Sequence, residues 1–207
     1  MILTHLTAES FVVSAWAGGV TTQIAIAPPR AAYADRDFLW RVSSASVETE
    51  TSDFTALPDY WRWITPLSGS MTLFHDGGDG VRLAPYEVHQ FDGGAATRSQ
   101  GRCTDFNLML RKGQAHGRMY ARRLSAGSAC SVVFSGGLDR RSPDTVLLFC
   151  GAGGASVAAG DERVLLGAME AVMVENAASP RVEVKAAADS RFVIAEIESG
   201  GGGSKFP

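Results

Sequence analysis

A chain of 207 residues that is 45% hydrophobic and 20% charged has the composition of an ordinary globular protein, and it is long enough to bury a core. Nineteen Lys and Arg against 22 Asp and Glu leave a formal charge of −3 without a basic block, which gives nucleic acid little to bind by counterion release. The opening MILTHLTAES lacks a charged and then apolar leader, and no stretch approaches about eighteen apolar residues, so a cytoplasmic protein with no membrane partner is expected.

Along the chain the dominant period is two, the mark of half-buried strands, broken by Gly, Pro and Asp. Phe38–Val47 reads FLWRVSSASV and puts Trp40, Val42, Ser44 and Ser46 on one face, with Arg41, Ser43, Ala45 and Val47 on the other. DYWRWITPLSG follows, with Tyr60, Arg62 and Ile64 opposite Trp61 and Trp63. MTLFH then meets DGGDG, whose residues can take positive φ, and VRLAPYEVHQF begins beyond that hairpin loop. CTDFNLMLRKG sets Thr104, Phe106, Leu108 and Leu110 against Asp105, Asn107, Met109 and Arg111.

The stretch from Lys112 to Ala129 is rich in Gly, Arg and Ser and reads as the connection to a second half. That half brings SACSVVFSGG, TVLLFCGAGG, ASVAAGDERVLL, GAMEAVMVENA and SRFVIAEIE, each of strand length, although GAMEAVMVEN also suits a short helix. GAGGA reads as a second hairpin turn, and ESGGGGSKFP as a mobile tail. Many short strands without long helices predict an all-β sandwich or barrel rather than a parallel α/β sheet. Cys103, Cys130 and Cys150 are odd in number and widely spaced, which predicts buried thiols rather than a disulfide framework or metal clip.

Four ordered motifs carry a family resemblance. They are WAGGVTTQIA from Trp16 to Ala25, FLWRVSSA from Phe38 to Ala45, FTALPDYWR from Phe54 to Arg62, and DFNLMLRK from Asp105 to Lys112. Together they resemble the HutD/Ves family, found in some bacteria beside histidine-utilisation enzymes. The chain departs from the family's W-K-N-G-G-G in having the shorter Trp16-Ala17-Gly18-Gly19, and Asp59 stands where a Gly is usual. The resemblance implies a cupin-like double barrel of the bicupin kind. Its halves would span 1–112 and 113–198, packed as one unit, with 199–207 as a disordered tail. It also implies binding of a small carboxylate or formylated amino-acid metabolite, with a regulatory or sensing role in histidine breakdown.

If the polar stripes face a barrel interior, Arg62, Arg41 and Asn107 can converge, because inward residues alternate along each strand. The planar fork of a buried guanidinium suits a carboxylate, either a ligand's or that of Asp53 or Asp105. Arg62 alternates with Trp61 and Trp63, which suggests an aromatic wall for an anion site. Asp105 shares a face with Asn107 and can orient Arg62, whereas Thr21, Thr22 and Gln23 can contact the rim of a ligand site or make ordinary strand-edge hydrogen bonds.

No cofactor is expected. Metal-binding cupins use Gly, five residues, His-x-His and Glu, then a second motif with Pro, Gly and His. Here Gly69 and His75 fit that spacing, but Gly77 stands in the second His position, so His75, Glu87 and His89 form only a partial set. Nucleophile-elbow, Walker and dinucleotide patterns are absent from the sequence. The leading expectation is therefore a non-catalytic binding protein. The alternatives are a cupin-type enzyme, a metal-dependent dioxygenase or isomerase, and an interaction module with a vestigial pocket. A homodimer paired through a sheet edge fits any of them.

Overall fold

The computed structural model describes residues 2–133, 144–175 and 181–199. The regular structure is strand throughout, apart from short 3-10 turns at Ala8–Ser10 and Tyr33–Asp35. In chain order the first part contributes β1 (Ile2–Leu6), β2 (Val12–Trp16), β3 (Gly19–Ala27), β4 (Trp40–Val47), β5 (Thr51–Asp53) and β6 (Tyr60–Gly69). It continues with β7 (Met71–His75), β8 (Val81–Leu83), β9 (His89–Asp92), β10 (Thr97–Gln100) and β11 (Cys103–Arg111). The second part contributes β12 (Ala115–Leu124), β13 (Ala129–Val133), β14 (Thr145–Ala152) and β15 (Ala155–Ala159). After these come β16 (Glu162–Leu166), β17 (Glu170–Glu175), β18 (Arg181–Ala186) and β19 (Ser190–Ser199).

These strands form four sheets. A six-stranded sheet in the order β2-β3-β4-β11-β6-β9 faces a four-stranded one, β5-β10-β7-β8. Between them lies a core of Val47, Ile64, Met71, Leu73, Leu83, Phe91 and Cys103. In the other half a five-stranded sheet, β1-β17-β14-β19-β12, faces β13-β18-β15-β16. The interior there is apolar, with Val146, Leu148, Cys150, Val157, Phe192 and Ile194 among its buried residues.

The two large sheets meet back to back. Trp40, Val42, Trp63, Phe106 and Leu108 pack there against Met119, Leu147, Phe149, Val193 and Ile197. Every second residue of the central strands reaches this layer, and the residues between them face the two interiors. The rings of Phe106 and Phe149 stand 4.8 Å apart across the junction, and truncating either to Ala costs about 3–5 kcal/mol.

Several expectations change. The segment expected to link the halves is largely β12, paired with β19 over its whole length. Its Arg and Gly content suits an edge strand, where charge discourages further pairing. β1 lies in the sheet of the carboxy-terminal half, paired with β17. GAMEAVMVEN forms β17, not a helix, and VRLAPYEVHQF breaks into β8 and β9 around a turn. DGGDG closes the β7–β8 hairpin. GAGGA instead carries the chain from one sheet to another, since β14 and β15 have different partners. Gly153 has φ +84° there, and a Cβ would strike Ser190 and the Asp189 carbonyl. Ser199, assigned to the tail, still belongs to β19, and the remaining tail residues lie outside the described set. No helix among the described residues is long and apolar enough to cross a membrane.

Candidate functional site

The inner face of the six-stranded sheet carries polar residues where a sealed barrel core would carry aliphatic ones. Antiparallel register aligns Arg41 of β4, Met109 of β11 and Arg62 of β6 in one row. Ser43, Asn107 and Ile64 form the next row. Because these positions sit two apart along each strand, they share the interior face. A cavity of about 300 Å³ opens over them, lined by Arg41, Ser43, Arg62, Asp105, Asn107 and Met109 from this sheet. Thr21 of β3 and Ser14 and Trp16 of β2 also line it, together with Tyr33, Asp53 and Phe54.

Arg62 is only 6% exposed. Its Nη2 donates to Asn107 Oδ1 at 3.3 Å, and Asn107 Nδ2 donates to Asp105 Oδ1 at 2.5 Å. The chain of contacts therefore runs from guanidinium to amide to carboxyl without a direct ion pair. Arg62 Nε is buried and has no hydrogen-bond partner among the described residues. Phe54 and Phe91 lie against the guanidinium, 4.8 and 5.2 Å from its carbon. Burial pushes Arg62 down to about 10, with Arg41 acting in the same direction and Tyr33 and Asp105 against it. A buried cation without a carboxylate at contact distance is costly and leaves strong donors open to an anion.

Asp105 is 2% exposed, and burial raises it to about 7. The field of Arg62 and hydrogen bonds from Ala45 and Asn107 oppose that rise without cancelling it. Arg41 is also buried and lowered by desolvation. Its Nε donates to Gln23 Oε1 at 2.8 Å and its Nη1 to Ser43 Oγ at 3.0 Å, and its guanidinium lies 4.4 Å from the Tyr33 ring centre. Two guanidiniums face Asp105, which is partly protonated near neutrality, while the second lining carboxylate, Asp53, is paired with Arg98, so the cavity is electropositive. Such a site favours a small anion, and a planar guanidinium favours a carboxylate.

The structure brings Arg62, Arg41, Asn107, Asp105 and Thr21 together at the cavity and sets Gln23 behind Arg41. Thr22 does not line it, since strand alternation pairs it with Ser44 and turns it from the face of Thr21 and Gln23. Asp53, one expected partner of Arg62, is taken by Arg98 at 2.7 and 3.2 Å. Trp61 and Trp63 are not the aromatic wall, because neighbours in a strand face opposite ways. Trp63 packs between the halves, and Trp61 sits under Lys112. The rings around the guanidiniums are Tyr33, Phe54 and Phe91. Tyr33 and Phe54 lie in connections, where period-two reasoning assigns no face, although Phe54 opens one of the four motifs.

The partial metal set separates. His75 and His89 do meet, with Nε2 atoms 3.0 Å apart and rings stacked at 5.2 Å. The other nitrogen of His75 faces Thr97 Oγ1 at 2.9 Å. Glu87 instead accepts the Ala84 N–H at 2.8 Å. No group of three His, Cys, Asp or Glu side chains converges among the described residues, so these residues do not fit the ligand set that metal-binding cupins use. Cys103 and Cys150 are buried, and burial raises their thiols to about 12 and about 11, which makes them unreactive at neutral pH.

Comparison with known proteins matches residues 8–194 to the model of the HutD family. No curated protein matches the sequence. Among solved structures, a conserved protein of unknown function from Pseudomonas aeruginosa PAO1 superposes with a TM-score of 0.82 at 22% identity, over 96% of this chain and 100% of that one. HutD from Pseudomonas fluorescens SBW25, in a formate condition, gives 0.74 at 24% identity over 97% and 100%. The nickel(II) complex of a bacterial pirin from Escherichia coli gives 0.65 at 11% over 94% and 98%. With other cupin-fold neighbours, including an oxalate decarboxylase and a cupin 2 conserved barrel protein, these likenesses fix the fold as a cupin-like double barrel.

Proposed function

The chain belongs to the HutD family, and from that premise we propose that it is a non-catalytic binding protein for a small metabolite bearing a carboxylate. Arg62 holds the carboxylate. Asn107 and Asp105 set the guanidinium's position, while Arg41, fixed by Gln23 and Ser43, adds positive charge, and Thr21 contributes at the rim. The observation that carries this reading is the buried Arg62 with an unpartnered Nε at an open cavity. The strongest interaction such a group lacks is a bidentate carboxylate. Family membership supports a formylated amino-acid or related acid as the ligand, and a sensing or regulatory role in histidine utilisation.

Calorimetry and thermal shift with urocanate, N-formylglutamate, formiminoglutamate and glutamate test it. At least one should bind without being consumed, and Arg62→Ala should remove that binding. If none shifts the protein, or if Arg62→Ala responds like the wild type, the assignment is wrong. Turnover of a bound ligand would replace it with an enzymatic reading.

A further inference from the structure

Tyr33 and Phe54 already lie against the guanidiniums of Arg41 and Arg62, which leaves a third ring at the same cavity. Trp16, at the end of β2, lines it and is 40% exposed. Strand register sets Trp16 opposite Gly19 and Ser14 opposite Thr21, so the β2–β3 hairpin forms one side of the cavity. The other tryptophans are engaged elsewhere. Trp40 and Trp63 are buried in the junction between halves, and Trp61, as exposed as Trp16, carries Lys112 at 5.0 Å on its ring and does not line this cavity.

The position of the Trp16 ring is built into the hairpin. A Cβ on Gly18 would come within 2.1 and 2.6 Å of its Cζ3 and Cη2 atoms. The indole thus rests directly on the Gly18 backbone, and only a residue without a side chain permits that contact. One exposed ring needs no cover on that ground alone, but this one stands at a cavity that two buried guanidiniums line, where its face is available to the body of a molecule whose acid group lies deeper.

We propose that Trp16 determines specificity at this site, stacking on the ligand's body and selecting carboxylates attached to a flat, unsaturated group over saturated ones of equal size. The inference rests on the carboxylate site at Arg62. An aromatic pair supplies about 3–10-fold in affinity beyond the contact area it buries, and a saturated ring has no π face with which to make that offset-stacked contact.

Titration of the full chain with trans-cinnamate and with 3-cyclohexylpropionate tests it, using calorimetry and tryptophan fluorescence. Wild type should prefer cinnamate by about 3–10-fold, with the indole emission altered on binding. Trp16→Leu should bind both acids alike and lose the fluorescence change. Trp16→Phe should keep part of the preference, which separates loss of stacking from loss of fold. Gly18→Ala should also erase the preference although the indole is still present, because its seat is gone. Equal affinities in wild type, or a preference that survives Trp16→Leu, would overturn the role of Trp16 while Arg62-dependent binding of both acids left the carboxylate site standing. If neither acid binds wild type, or both bind Arg62→Ala unchanged, the carboxylate site and the inference fall together.

Discussion

Each half of the molecule buries an acid beside an arginine, and the two pairs are finished differently. In the carboxy-terminal half Glu196, 4% exposed, accepts from Arg118 Nε and Nη2 at 2.8 and 2.9 Å and from the Tyr120 hydroxyl at 2.8 Å. Both of its oxygens are thus satisfied by named donors, Arg118 itself is half exposed, and the interior around the acid is apolar. In the amino-terminal half Asp105 and Arg62 are separated by an amide, and Arg62 Nε has no partner among the described residues. Cavity size does not distinguish the halves, since a larger depression of about 560 Å³ runs along β12 and β13. Satisfaction of the buried charges does. The closed set holds strands together, whereas the open one has capacity for a ligand.

Mutation should separate the two sets. Arg62→Ala is expected to weaken carboxylate binding by about 30-fold or more, the scale of a lost charge-assisted contact, while Arg118→Ala leaves affinity unchanged by calorimetry. Stability should show the reverse. Glu196→Ala strands the Tyr120 hydroxyl and should cost about 2 kcal/mol in urea unfolding. Arg62→Met removes a desolvated, unpaired charge and should be neutral or stabilising. If Arg62→Met destabilises the protein as much as Glu196→Ala does, the two arginines are doing the same structural task.

Protonation sharpens the contrast. Asp105 is raised from its ordinary 3.8 to about 7. The folded state therefore holds an extra proton between those values, and stability falls as the pH rises from about 4 to 7. An anion on Arg62 favours the protonated carboxyl, so carboxylate affinity should be highest below pH 7 and decline above it. Asp105→Asn should flatten both profiles. Smallest is the effect of the rim: Gln23→Ala, which frees Arg41, should cost about 2–5-fold in affinity, the scale of one hydrogen bond, and Thr22→Ala nothing measurable.

Much of this site was legible in the sequence, because strand alternation assigns faces locally. Arg41 and Ser43, Arg62, and Asp105 with Asn107 each fall on one side of their strands by period two alone, and antiparallel register brings those sides together. The same rule should have excluded Trp61 and Trp63, the immediate neighbours of Arg62, from the cavity wall. Tyr33 and Phe54 were not legible as its walls, since loop residues have no period and their place depends on distant packing. β12 was obscured by composition, as an edge strand rich in Arg and Gly reads like a linker. The two imidazoles at 75 and 89 were legible as a pair, but the turn that draws Glu87 to the Ala84 N–H was not.

A crystal structure of the protein soaked with a small carboxylate would show which of the two arginines is open. The carboxylate should lie on Arg62, within hydrogen-bonding distance of Nε and a terminal nitrogen, with the Arg118–Glu196–Tyr120 contacts unchanged. A carboxylate bound along β12 instead, or Arg62 found in a direct ion pair with Asp105 and the cavity without ligand, would contradict it.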